Sequence, residues 1–418
     1  MNATKHKPGW KTIPLRYVCQ LNPPVDFDGF EEDDDVTFLP MDRVKSGYFI
    51  PNTDKFSKYA SSYNPFKERD IVLAKVTPCF ENGNIAIAEN LVGGKGFGSS
   101  ELFIIRPTGV DRKFLFYYFQ SSTFKQEGEA SMTGAGGLKR VSPDLLRQHH
   151  LPFPSQKNQR RIADYLDRET ARIDALVAEK GKMLALLEEK RAALISSKVT
   201  RGLNPDAPRK PSGLDWLGDI PAHWRIERAK NLFAVRDQRS EAGEEELLTV
   251  SHITGVTPRS EKNVYMFQAD DKAGYKRCYP GDLTINTLWA WMGAMGVSPV
   301  EGIVSPDYHV YIPNGQLLPE FVELLCRSKP FVAEVNRWSK GVWSSRLRLY
   351  PENFFEMRLP VPPQVEQREI VCTVEASQDK AKDLGEILQK SISLAKERRA
   401  ALITAAVIGQ IPIKEMTT

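Results

Sequence analysis

Two stretches of the chain carry an almost uninterrupted helical pattern. In the first, Ile162, Leu166, Ile173, Leu176, Met183, Leu187 and Leu194 return to one face at spacings of three, four and seven, and charged side chains fill the other face. Ile370, Val374, Leu384, Leu388, Leu394, Leu402 and Val407 repeat the pattern in the second. Pro152 and Pro154 precede the first stretch, Asn158 offers an N-cap, Gly181 is its one internal glycine, and Gly202 and Pro205 close it. Pro362 and Pro363 precede the second, and Gly409 ends it. Each predicts a rod roughly 60 Å long, from about 40 residues at ~1.5 Å. A lone amphipathic helix of that length cannot bury its stripe. The simplest expectation is that the two pair, parallel or antiparallel. The bland alternative is that each folds back on its own globular neighbour.

Elsewhere the pattern shortens to period two. VTFLPM, DIVLAKV, NIAIAE and ELFIIRP in the first half, and ELLTVSHI, DLTINTLW and HVYIP in the second, read as strands bounded by turn residues. Each half then has one predicted helical stretch, KFLFYYFQSSTFKQ or PEFVELLCRSKPFVAEV, followed by a polar, basic loop.

The helical stretches are copies. Residues 151–204 and 359–412 align without a gap at 17 identical positions of 54, where average composition gives roughly three. The parts before them correspond weakly in order: Trp10 with Trp224, Asp70 with Asp282, SSELFIIRP with SPDYHVYIP. The Pro- and Gly-rich segment 200–224 marks the boundary. The chain is therefore a duplicated half, a variable globular part followed by a long helix. Internal pseudo-two-fold symmetry suits a target with two halves, and duplex DNA is the commonest.

Composition adds little. The 418 residues hold 57 basic and 53 acidic side chains, so positive charge for nucleic acid must be concentrated locally or supplied by other subunits. The five cysteines are scattered and the six histidines show no ligand spacing, which speaks against zinc or a disulfide framework and fits a reducing cytoplasm. No apolar run reaches membrane-spanning length, and MNATKHKPGW does not read as a signal peptide.

LPFPSQKNQRRIADYLD, LPVPPQVEQREIV and KVTRGLNPDAPRKPSGLDWLGDIPAHWRIERAKNLF, with FLPMDRVKSGYF, AKVTPCFENGNIAIAE, GSSELFIIRP and GDLTINTLWAWMGAMGVSPVEGIVSPDYHVYIP in the variable parts, resemble the specificity (S, HsdS) subunits of type I restriction–modification systems over nearly the whole chain. The resemblance implies an α+β, pseudo-two-fold architecture: two α/β target recognition domains (1–150 and 213–358) joined by two long conserved helices (151–204 and 359–418) forming an antiparallel coiled coil, with 205–224 as linker. It implies a non-catalytic, cytoplasmic subunit that reads a bipartite double-stranded DNA target, with the helices as a ruler for the gap. Two methyltransferase (M) subunits and restriction (R) subunits are the implied partners. S-adenosylmethionine, ATP and Mg would bind those partners, with no cofactor or metal in this chain. A methylation-only or related phage-defence complex without a nuclease is the alternative.

Candidate DNA contacts follow from residue type. RWSKGVWSSRLR (337–348) interleaves Arg337, Lys340, Arg346 and Arg348 with tryptophans including Trp343, and holds no acid. The alternative is that Arg346 and Arg348 cap the end of the preceding helix. The matched loop GAGGLKR (134–140) adds Lys139 and Arg140 beside glycines that permit close backbone approach. Arg43, Lys45 and Ser46, with Lys75 and Thr77, are candidates in the first half, and Asn286 and Trp289 in the second. The acidic run 31–35 reads as a solvated loop facing away from phosphate. NPPV (22–25) resembles an amino-methyltransferase motif, but Val25 cannot stack on a base, and GGKGFGSS lacks a cofactor-loop order. Asp111-Arg112-Lys113 has a nuclease-like shape but reads as a helix start.

Overall fold

The structure, a computed structural model, describes residues 10–59, 63–134, 137–262, 271–341 and 347–416. The first half runs β1 (Lys11–Pro14), β2 (Cys19–Leu21), β3 (Asp35–Leu39), β4 (Asn52–Lys55), β5 (Asn64–Lys67), β6 (Ile71–Ala74), β7 (Ile85–Ile87), β8 (Lys95–Gly98), β9 (Leu102–Pro107), α1 (Arg112–Gln120), α2 (Ser122–Ala130), α3 (Pro143–Gln148), β10 (His150–Phe153) and α4 (Gln156–Arg201). The second runs β11 (Arg209–Pro211), β12 (Asp219–Pro221), β13 (Arg225–Arg228), β14 (Phe233–Arg236), β15 (Leu248–Ser251), β16 (Gly255–Pro258), β17 (Lys276–Cys278), β18 (Leu283–Asn286), β19 (Met295–Val297), β20 (Gly302–Val304), β21 (Tyr308–Pro313), α5 (Pro319–Arg327), α6 (Lys329–Trp338), α7 (Pro351–Glu356), β22 (Arg358–Val361) and α8 (Gln364–Val407).

The chain divides into two units, residues 1–181 with 389–418, and residues 182–388. Each takes one stretch of each long helix. In unit 1 the antiparallel sheet β2-β9-β6-β7 lies beside the mixed sheet β4-β3-β8-β5. Its central strand, Ile-Val-Leu-Ala, is buried at all four positions, as a strand covered on both faces must be. Helix α1 places Phe114, Leu115 and Tyr118 on this sheet, and Ile162 and Leu166 of α4 join the same core as Ile403 and Val407 of α8. Those four helical side chains contribute roughly 6–12 kcal/mol of apolar burial before chain entropy is charged. In unit 2 the antiparallel sheet β14-β21-β18-β19 repeats the first half's order. Its core takes in Ile195 and Val199 of α4 with Ile370, Val371 and Val374 of α8.

These contacts fix the direction of pairing. The beginning of α4 meets the end of α8 in unit 1, and the end of α4 meets the beginning of α8 in unit 2. The two helices are therefore antiparallel. Their apolar stripe is buried mainly near the globular parts. Leu176, Met183, Leu384 and Leu394 are 43–54% exposed, whereas Leu388 and Ile392 between the last two are buried.

One glutamine in each helical copy explains part of the duplicated motif. Gln159 is 1% exposed; its amide donates to the Pro154 carbonyl at 2.9 Å and its carbonyl accepts from Asp111 N at 2.7 Å. Gln367, fully buried, donates to the Pro362 and Gln316 carbonyls, both at 2.9 Å, and accepts from Leu318 N at 2.7 Å. Asp111 and Leu318 are the N-cap residues of α1 and α5. Each glutamine thus bolts its long helix to the first helix of its own globular part.

Three sequence expectations need correction. Helix α4 begins two residues before Asn158: the Ser155 carbonyl already accepts from Asn158 N and Gln159 N, at 2.8 and 2.9 Å. The single helical stretch predicted in each half is two helices. Ser121 and Ser328 break them in extended conformation, each hydroxyl donating to the carbonyl three residues back, at 2.6 and 2.7 Å. The polar loop before each LP motif also contains a short helix, α3 or α7, started by Pro143 or Pro351 at a first-turn position.

Candidate nucleic-acid interface

At the C-terminal end of β6 the chain leaves the sheet through Lys75, and three segments meet there. The Lys75 carbonyl accepts from Val141 N at 2.8 Å, which attaches the hairpin 133–140. That hairpin is closed by reciprocal bonds between Thr133 and Arg140, at 3.0 and 2.8 Å. The third segment, 41–50, lies along β7: Gly47 N donates to Ile85 O, and Ile85 N to Lys45 O, at 2.8 and 3.1 Å. Arg43, Lys45, Ser46, Lys75, Thr77, Lys139 and Arg140 therefore belong to one loop cluster.

They are not equivalent within it. Ser46, Lys139 and Arg140 are exposed, while Arg43, Lys45 and Lys75 are half-buried. Arg43 donates to the Pro51 carbonyl and Lys45 to that of Asp42. Thr77 is buried; its hydroxyl donates to Gly137 O at 2.7 Å and accepts from Lys139 N at 3.0 Å. Its role is to hold the hairpin, and its burial and the commitment of its one O–H donor remove it from base reading. Arg140 grips Glu101 through two 2.9 Å bonds. That contact holds the Glu101 carboxyl below the usual carboxylate range and raises the guanidinium above its own.

Unit 2 repeats the geometry with other side chains. At the end of β18 the Thr287 carbonyl accepts from Leu349 N at 3.3 Å, the counterpart of the Lys75–Val141 bond. A second hairpin is closed by reciprocal 2.9 Å bonds between Lys340 and Arg348. Both of these residues are exposed. Arg337 is partly committed, because its guanidinium neutralises Glu334, which is 4% exposed, at 3.0 Å. Asn286 is also buried: its amide donates to Val250 O at 3.3 Å and its carbonyl accepts from Leu288 N at 3.2 Å, so it shapes the strand end. Trp289, by contrast, is 51% exposed and lies nearly parallel to Trp291, with ring centres 6.4 Å apart. Trp343 and Arg346 lie outside the described residues.

Exposed apolar side chains at these ends escaped the sequence reading. Tyr48, Ile50 and Leu138 are exposed in unit 1, and Ile253 and Met292 in unit 2. An isoleucine in the polar turn SHITG was the available signal for Ile253. The motifs resembling catalytic sites have structural roles. The Asn22 side chain accepts from Ile104 N at 2.9 Å and its backbone N–H donates to Ile104 O, extending the sheet. Asp111 caps α1, accepting from Phe114 N at 3.0 Å. Among the described residues no three His, Cys, Asp or Glu are placed to hold a metal, and no helix is long and apolar enough to cross a membrane.

Residues 8–182 match the family model described as the type I restriction modification DNA specificity domain. The specificity subunits of the type I restriction enzymes EcoAI and EcoEI, both from Escherichia coli, are 33% and 31% identical over 159 residues. That stretch is 37% of this chain but only 27% and 26% of those proteins, so the match spans about a quarter of their length. Two solved structures share the fold. A chain from a study of complex assembly and conformational transition of the type I R-M system gives a TM-score of 0.73 at 16% identity, covering 98% of this chain and 100% of that one. The HsdS subunit from Thermoanaerobacter tengcongensis gives 0.55 at 17% identity, covering 98% and 99%.

Proposed function

We propose that the chain belongs to the type I restriction–modification DNA specificity family, whose model matches residues 8–182, and that it is a non-catalytic subunit whose two halves each read one part of a bipartite duplex DNA target. One observation carries the reading. The same end of the same four-stranded sheet gathers a closed hairpin and neighbouring loops in both units, yet the side chains presented there differ. A shared frame with divergent loops is what two readers of different sequence require. The exposed cations Lys139, Lys340 and Arg348 suit phosphate contacts that set register, and exposed Ser46 and Trp289 suit base edges and groove contact. Methyltransferase (M) and restriction (R) subunits would dock on this scaffold and hold S-adenosylmethionine, ATP and Mg. The antiparallel helices would set the gap between half-sites.

The test is an exchange. Residues 1–150 are replaced by the matching part of another family member, and modified bases are mapped genome-wide in cells carrying the assembled system. One half of the modified sequence should change while the other half stays. An unchanged pattern would refute the assignment.

A further inference from the structure

We propose that unit 1 carries a docking groove for an acidic polypeptide segment, distinct from the nucleic-acid edge. The groove, about 760 Å³, lies between the turn into β6, the start of α1 and the first turns of α4. It opens at the N-terminal end of β6, whereas the reading loops sit at its C-terminal end, about 13 Å along a four-residue strand.

Two of its lining cations are committed, Arg106 to Asp70 and Lys113 to Asp167, but others are unspent. Among the described residues the side chains of Lys67, Arg69 and Arg160 form no hydrogen bond or ion pair. Arg112 lines the same groove, and its Nε and Nη1 are buried without a partner; its nearest carboxylate, Glu89, is 3.7 Å away. A guanidinium whose nearest carboxylate lies beyond hydrogen-bond distance keeps charge available for an acceptor arriving in the groove. Arg69 also sits in the left-handed region at φ 74°, a conformation that disfavours an L side chain. Its counterpart, one residue before the matched aspartate in unit 2, is Gly281 at φ 89°. Retaining a side chain there against that strain points to a use for it.

The positive surface continues along α4 into an adjoining groove of about 550 Å³ lined by Lys157, Arg161 and Arg168. Cations crowd the start of this helix and its first turn holds no acid, the reverse of what the helix dipole favours. In α8 Arg160 is matched by Arg368, but Lys157, Arg161 and Arg168 are replaced by Val365, Glu369 and Ala376, and Glu366 occupies the first turn. The dock is therefore a feature of one half only.

A protein segment fits better than a second run of DNA backbone. Besides Asp70, paired with Arg106, and Asp111, which caps α1, Glu68 and Asp164 interrupt the lining and would repel a duplex carrying one charge per ~1.7 Å. Spaced Asp or Glu side chains avoid them and match the guanidinium forks. The choice of protein over nucleic acid also rests on assigning DNA to the opposite end of the sheet.

Fluorescence anisotropy of a labelled deca-glutamate peptide, titrated at low salt with the full chain, tests the proposal. One peptide should bind per chain, at least tenfold more weakly to Arg69→Gly and to Arg160→Gln. The glycine suits the backbone at position 69 and Arg160 is exposed, so both variants should melt like the parent. A labelled duplex titrated in parallel should bind all three proteins alike. Absence of saturable peptide binding, insensitivity to both variants, or two peptides per chain would overturn the dock. So would loss of duplex binding in step with peptide binding, which would assign the groove to phosphates. Peptide binding as expected, with no duplex binding by any protein, would support the dock and count against the DNA reading alone.

Discussion

Asp70 and Asp282 occupy the same place in the two halves, yet their arginines come from different strands. Each aspartate ends a tight turn and accepts a backbone N–H three residues earlier, from Lys67 at 3.0 Å or Tyr279 at 2.9 Å. In unit 1 the partner is Arg106 on the adjacent strand β9, at 2.8 Å through both bonds. In unit 2 it is Arg236, one strand further away on β14, at 2.7 and 3.0 Å. The register places Ile312 at the Arg106 position and Asn22 at the Arg236 position. The carboxylate is thus fixed by the turn it closes, while the cation has two addresses from which it can neutralise the same buried charge. The fold preserves the function of the pair rather than the identity of its members.

The largest expected effect comes from breaking that pair. Both aspartates are at most 3% exposed, and removing one partner of a buried pair costs about 3–5 kcal/mol. Asp70→Ala and Asp282→Ala should each destabilise their own unit by that amount, read from urea unfolding. The sharper test is rescue. Arg236→Asn should cost a similar amount, and adding Ile312→Arg should recover much of it, because the new guanidinium starts from the strand that serves Asp70. No recovery would mean that the two halves are not interchangeable at this site.

The closing arginines of the two hairpins differ more quietly. Arg140 is held by Glu101, whereas Arg348 makes only backbone bonds among the described residues. Arg348→Ala should lower the salt dependence of DNA binding by about one unit of slope. Arg140→Ala should change it less, until Glu101→Gln releases the guanidinium and makes the two halves behave alike. Equal slopes for both single variants would remove the distinction.

Much of this frame was legible in the sequence because it rests on periodicity. The paired helices follow from two matched stripes that neither could bury alone, and the strands from short alternating runs. The breaks at Ser121 and Ser328 were less visible, since a serine that turns its hydroxyl back on the helix has the same composition as one that does not. The site was legible as a region and poorly legible as residues. Thr77 and Asn286 have the chemistry of base readers, yet both are buried and their hydrogen bonds go to holding loops. Glu101, 39 residues before Arg140, gave no local sign that it would neutralise that arginine.

The smallest expected effect separates the halves by pH. His309 on β21 lies opposite Ile285, and the counterpart on β9 is Phe103, opposite Leu73. Burial holds the His309 imidazole below its ordinary value, and Lys276 adds to the shift; Glu352, Asp237 and Asp307 oppose it. Above about pH 6.5 the folded and unfolded forms are both neutral at this ring, and its contribution is fully present. As pH falls through that value the unfolded chain takes up a proton that the folded chain resists, so stability declines. Six of the seven tryptophans lie within 182–388, which makes tryptophan fluorescence a reporter for unit 2. Its urea midpoint should be lower at pH 5.0 than at pH 7.5, and His309→Phe should flatten that dependence by importing the residue of the other half. If the variant keeps the parental slope, another group governs the acid sensitivity, and this contrast between the halves is one of packing alone.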